Sequence, residues 1–184
     1  STQRMRDLIQ SILVYSRLSK TGEELVDTDL NKILSDVTSD LELLMEEKGA
    51  TIQSDHLPVI KANALQMHQL FSNLISNSIK FSRQSPMIRI QAQVVAGKEM
   101  NLADKINPQQ QYLRLTFRDN GIGFEPRFKE QIFNLFQRLH GKDEFSGTGI
   151  GLSIVKKIVE QHNGFIEADS QPGEGAVFNI WIPN

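Results

Sequence analysis

Apolar residues recur along this chain with two alternating periods, and the switches between them mark out its elements. Over residues 2–19 they fall at Met5, Leu8, Ile9, Ile12, Tyr15 and Leu18, a helical spacing with a narrow seam. Such a seam serves either an ordinary amphipathic core helix or, as in a coiled coil or helical hairpin, a helix that packs on a partner. Lys20-Thr21-Gly22 is its expected end. A short strand is expected around residues 25–28. Asp29 then caps a helix carrying Ile33, Leu34, Val37, Leu41, Leu44 and Met45 on one face, and Gly49 closes it. Residues 51–54 read as strand, and after Pro58 a longer helix is expected over 63–82. Strand patterning returns at 87–95 and 112–117. The polar stretch 96–111 between them, with Gly97, Pro108 and a run of glutamines, reads as a long hairpin loop. A helix over 149–162 and two strands, 164–170 and 176–182, meeting at Pro172-Gly173, complete the chain. The predicted class is α/β: a two-layer α/β sandwich, a mixed sheet with helices on one face, preceded by an N-terminal helix.

Composition narrows this only slightly. The 184 residues are 39% apolar and 23% charged, enough for one compact domain with an appended helix. A net charge of -2 gives no general pull toward nucleic acid or an anionic membrane, so any phosphate binding must come from local placement of groups. With no cysteine, disulfides and thiolate metal sites are excluded, which fits a reducing, cytoplasmic setting. No apolar run approaches the roughly 18 residues that span a bilayer. The chain starts at Ser1, already in helical pattern, and reads as a piece of a larger protein.

Three places carry chemistry. On the helix over 70–82, Asn73, Asn77 and Lys80 fall within roughly 60° of one another, while Leu70, Phe71, Leu74, Ile75, Ser78 and Ile79 spread over the opposite side. A solvated stripe would more often hold Glu and Lys, better helix formers than Asn. An amide oxygen is a hard ligand suited to Mg²⁺, and a lysine beside it suits phosphate. Next, Asp119-Asn120-Gly121-Ile122-Gly123 follows a strand. It is either an ordinary turn or a fixed carboxylate ready to accept a hydrogen bond from an exocyclic amine such as that of adenine. Finally, Ser146-Gly147-Thr148-Gly149-Ile150-Gly151-Leu152 runs into a helix, a start that presents unpaired amides to an anion. Its spacing matches neither the dinucleotide motif nor Walker A, and no HRD or DFG segment of a Ser/Thr/Tyr kinase occurs.

The order of these motifs is more specific than any of them singly. Asn73 to Lys80, Asp119 to Gly123, Phe133-Asn134-Leu135-Phe136, Gly147 to Gly151 and Gly173-Glu174-Gly175 resemble the N box, first glycine box, F box, second glycine box and third glycine motif of sensor histidine kinases. Phe136-Gln137-Arg138-Leu139-His140-Gly141 resembles the phytochrome-like branch. The resemblance implies the histidine kinase/gyrase/Hsp90-type ATPase fold, with ATP and Mg²⁺ as ligands. It implies that Asn77 ligands Mg²⁺, that Asn73 lines the catalytic side of the phosphates, and that Lys80 meets phosphate. Asp119 takes the adenine amine in a pocket shaped by Gly121 and Gly123. Gly147, Thr148, Gly149, Gly151 and Leu152 border the triphosphate beneath a lid over 139–148, packed by Phe133 and Phe136. Arg138 stabilises charge during transfer. Ala176 departs from the Thr or Ser that often follows the third motif, removing a hydrogen bond near the pocket.

The same resemblance makes residues 1–20 the second helix of a dimerising, phosphoaccepting hairpin and 21–184 the catalytic domain. None of His56, His68, His140 and His162 is followed by the acidic residue typical of the acceptor site, so that histidine is expected upstream. His162, at a helix end, reads as suited to positive charge. The implied partners are the hairpin itself, a response regulator receiver domain and, in the whole protein, a second copy; this piece alone is expected to be monomeric. Two other readings stay open. One is a nucleotide-sensing scaffold without transfer. The other is a chaperone or topoisomerase ATPase relative, which would place a water-activating glutamate where Asn73 stands.

Overall fold

The computed structural model describes residues 1–18, 24–100, 105–140, 145 and 147–184. The expected helix end at residues 20–22, the domain boundary at residue 20 and much of the lid, Ser146 and Gly141 included, lie outside them. Helix α1 (Thr2–Leu18) leads to strand β1 (Val26–Asp29) and helix α2 (Leu30–Asp40). Asp29 caps α2 by accepting the Asn31 N–H at 2.9 Å. Asn31 in turn donates to Leu57 O and accepts the Leu57 N–H, fastening the helix to a distant loop.

Where one continuous helix was expected, the chain bends at Leu41 into a separate α3 (Glu42–Lys48). Thr38 donates back to Leu34 O at 2.7 Å, a bond that bends helices. The left-handed Gly49 then ends α3.

Strands β2 (Thr51–Ser54), β4 (Met87–Ala96), β5 (Gln111–Asp119), β6 (Phe165–Ser170) and β7 (Ala176–Pro183) form a sheet in the order β2-β4-β5-β7-β6. The β2–β4 pair is parallel and the others antiparallel, the mixed sheet expected from the sequence. A strand absent from the sequence reading, β3 (Val59–Ala62), pairs with β1 in a separate two-stranded sheet. Its four residues alternate exposed and buried but are too few to register as a period.

Helices α4 (Ala64–Lys80) and α5 (Gly151–Gln161) fill the layer against the main sheet with α2. Met67, Leu70, Phe71, Leu74, Ile75 and Ile79 of α4 are completely or almost completely buried, and Phe71 meets Phe117 edge-on at 5.2 Å. The segment after β4 is more than a loop. Among its described residues, Gly97–Glu99 make a 3-10 turn, the Asn107 N–H donates to Tyr112 Oη and Lys105 approaches Glu167. Phe165 stacks on Trp181, leaving Trp181 7% exposed.

His162 has a structural role, but as a neutral ring and not with the positive charge its place at a helix end suggests. It is buried, its Nδ1–H donates to Ile158 O at 2.7 Å, and its Nε2 accepts the Asn63 N–H at 3.1 Å. That donor and acceptor pair defines a neutral ring, and burial pushes its pKa down. The ring ties the end of α5 to the start of α4.

Candidate functional site

β5 delivers Asp119 to the sheet's edge above α4. Its Oδ1 accepts the N–H groups of Gly121 (2.9 Å) and Ala176 (3.1 Å), and its Oδ2 lies 3.0 Å from Ser78 Oγ. Burial nevertheless pushes its pKa up, against the pull of those three donors. Position 176 therefore contributes through its backbone, whatever its side chain. Ser78, assigned from its spacing to the apolar side of the helix, is a site residue that the sequence reading missed. Its signal was a hydroxyl at a core-facing position, where it must find a partner.

The turn after Asp119 is shaped by two neighbours. The Ile122 N–H donates to Phe81 O at the end of α4, and Ile122 O accepts from the Gly173 N–H. Gly123 has φ +64°, and a side chain on it would stand 2.2 Å from Gln171 O, so only glycine fits against the β6–β7 turn. The first and third glycine motifs are thus one packed unit.

On α4, Asn73 is engaged at both ends. Its Nδ2 donates to Gly151 O at 3.0 Å, and its Oδ1 accepts from Gln69 Nε2 at 2.7 Å. Gln69 is a second residue not found from sequence. The Asn77 carboxamide has no hydrogen-bond partner among the described residues and faces the first residue of α5. Lys80 is half-buried with no carboxylate in ion-pair range among the described residues. Desolvation first, and the Arg138 charge second, push its pKa down.

These groups line one cavity of about 450 Å³, running from Asp119 to the start of α5. Gly121 lies beside it, buried under Phe81 O, while Gly123, Gly147, Thr148, Gly149, Gly151 and Leu152 are on its wall. α5 begins at Gly151, two residues later than expected, and no side chain caps it, so its first-turn amides open at the cavity. Arg138 is also on the wall, its guanidinium donating to Phe145 O. Phe81, His140 and Phe145 form an aromatic cluster with centroids 5.3–6.1 Å apart. Burial and the nearby Arg83 push the His140 pKa down.

Neither F-box ring is on the cavity wall. Phe133 is buried edge-on against Phe178 of the sheet, and the Phe136 ring is 57% exposed. It is the Phe136 backbone, at φ +62°, that meets Gly149. Of the remaining histidines, His68 pairs with Asp40 at 2.9 Å and His56 is exposed; neither is on the cavity wall.

A carboxylate at one end and a free amide, an ammonium and helix amides at the other suit a ligand with an exocyclic amine and a polyphosphate. Among the described residues no cluster of three His, Asp or Glu side chains is set to hold a metal. The single hard oxygen of Asn77 fits Mg²⁺, which takes its other ligands from water and phosphate. No helix among the described residues is long and apolar enough to cross a membrane.

Residues 62–184 match the family model described as histidine kinase-, DNA gyrase B-, and HSP90-like ATPase. The chain is 41% identical over 180 residues to cyanobacterial phytochrome A of a Nostoc species, covering 97% of this chain but 22% of that relative's length. Its fold is similar to full-length ShkA solved in complex with AMPPNP (TM-score 0.75, 24% identity, 96% of this chain and 35% of that one). It is also similar to histidine kinase ThkA solved in complex with the response regulator protein TrrA (TM-score 0.68, 21% identity, 99% and 48%).

Proposed function

Because the chain belongs to the histidine kinase-, DNA gyrase B- and HSP90-like ATPase family, we propose that it is the ATP-binding catalytic part of a sensor histidine kinase. In this reading residues 21–184 hold Mg-ATP, and residues 1–20 are the second helix of a dimerising hairpin. The carrying observation is Asp119: a buried carboxylate whose Oδ1 is filled by two backbone N–H groups, while Oδ2 meets only the Ser78 hydroxyl and can still accept an adenine amine. At the other end of the cavity Asn77 would hold Mg²⁺, which supplies charge neutralisation between the outer phosphates. Lys80 and the α5 amides would face the remaining phosphate oxygens.

The reaction is phosphoryl transfer. An imidazole nitrogen from a histidine outside this chain bonds the γ-phosphorus, the bond to the β–γ bridging oxygen breaks, and ADP leaves. The protein's part is to position and to neutralise, with Arg138 moving from Phe145 O toward the transferred group. A hydrolytic ATPase reading is disfavoured because Asn73 is an amide that cannot activate water as a carboxylate does, and both its ends are already bonded. The phosphoryl group would pass to an aspartate of a receiver domain, in a cytoplasmic setting where ATP is available.

Incubating the chain with γ-labelled ATP, Mg²⁺ and a separately made hairpin bearing the acceptor histidine tests this. Acid-labile, base-stable label on the hairpin is expected. Nucleotide binding without any label transfer would favour a nucleotide-sensing scaffold instead.

A further inference from the structure

One wall of the cavity comes from an element the family model does not cover. Asp7, Gln10, Ser11 and Val14 of α1 line it, at the i, i+3, i+4, i+7 spacing of a single helical stripe. Further down α1, Val14, Tyr15 and Leu18 pack on the core, with Lys157 of α5 over the Tyr15 ring. From that contact, about 12 Å back along α1 reaches Asp7 and about 9 Å back along α5 reaches Gly151, both at the cavity. The stripe changes from apolar to polar where it leaves α5 and overhangs the end of the cavity that holds Asn73 and Asn77.

Asp7 and Asp119 are the only carboxylates on this wall among the described residues. Asp119 already accepts two backbone N–H groups and faces the Ser78 hydroxyl. Asp7 has one bond, from Gln3 Nε2 at 2.9 Å, and no described cation in ion-pair range. We propose that Asp7 makes the site select metal-chelated over metal-free nucleotide by setting a negative charge against the outer phosphates. Chelation cancels charge at the phosphate end that faces α1, so the repulsion falls mainly on the free form. The inference rests on the nucleotide reading and adds a residue from α1 to it.

The test titrates the chain and its Asp7→Asn variant with Mg-ATP and, separately, with ATP in excess EDTA. Asp7→Asn is expected to tighten metal-free ATP about three- to tenfold and Mg-ATP by about twofold or less, the scale of one screened charge. Raising the salt to about 0.5 M should shrink that difference. Asp36→Asn, an exposed charge on α2 away from the cavity, should change neither form. Equal changes for both forms, no change, the same shift from Asp36→Asn, or a difference that survives high salt would each overturn the proposal. If the unaltered chain binds neither form, the nucleotide reading fails and this inference with it. Binding that is indifferent to position 7 removes this inference alone.

Discussion

Asp119 and Lys80 both line one cavity, and burial pushes each toward its neutral form, the carboxyl upward and the ammonium downward. Binding that needs both charges should therefore occupy a narrowed pH window. Mg-ATP affinity is expected to fall as pH drops through the raised Asp119 pKa, above the ordinary value near 3.9. It should fall again as pH rises through the lowered Lys80 pKa, below the ordinary value near 10.4. Calorimetric titration across pH reads both limbs.

The same carboxylate has an opposite effect on stability. Its folded pKa lies above its unfolded one, so the ionised group costs stability above the folded pKa, and the cost fades as pH falls. Asp119→Asn can still accept from Gly121 and Ala176 through Oδ1. It should weaken Mg-ATP by about 10- to 100-fold, the worth of one charged hydrogen bond, without lowering the melting temperature at neutral pH. A variant that lost binding only by unfolding would show a lowered melting temperature instead. The residues legible from sequence were those whose type was odd for their place: two asparagines inside a helix and a carboxylate ahead of two glycines. Ser78, Gln69 and Asp7 were ordinary for theirs, and only the packing of α1, β5 and α5 around α4 brings them to the site.

At the scale of elements, α4 and α5 are clamped at two points: Asn73 on Gly151 O beside the cavity, and His162 on Asn63 at the far end. Replacing His162 by Ala removes two hydrogen bonds and strands a backbone N–H, a loss of about 2–4 kcal/mol. Because the folded pKa of His162 is depressed, its stabilisation is present above the unfolded value near 6.5 and is lost as pH falls through that value toward the folded one. Urea denaturation at pH 7.5 and 5.5 should thus show a larger penalty for His162→Ala at the higher pH. Equal penalties would mean that the ring carries no titration effect. The long amphipathic α4, with Asn63 capping it, was legible because its period persists over several turns. The bend at Leu41, the four-residue β3 and its separate sheet were not. A back-bonded threonine and a pairing 34 residues distant leave no local period to read.

For the whole molecule, the order of motifs along the chain gave no indication of how α1 would lie. Its sequence seam is split in the fold: Met5, Ile9 and Ile12 are exposed while Tyr15 and Leu18 pack inward, because contact with α5 and not the seam sets its rotation. The cavity accordingly draws on α1, α4, β5, β7 and α5, groups that meet only when the chain is folded. A ligand there binds the native state alone, so at a hundredfold excess over its dissociation constant it adds about 2.7 kcal/mol of stability. For a chain of this size each kcal/mol raises the melting temperature by about 2–4 °C, which gives a shift of roughly 5–11 °C with saturating Mg-ATP. The variants should separate the cavity from the far end of the clamp. Asp119→Asn should keep its melting temperature but lose about half or more of the nucleotide shift at the same concentration. His162→Ala should melt lower yet retain the shift, since its ring lies at the opposite end of α5 from the cavity. Thermal denaturation of the three proteins with and without Mg-ATP decides it: if both variants lose the shift together, binding and global packing are not separable, and the assignment of distinct roles to the Asp119 pocket and the far end of α5 fails.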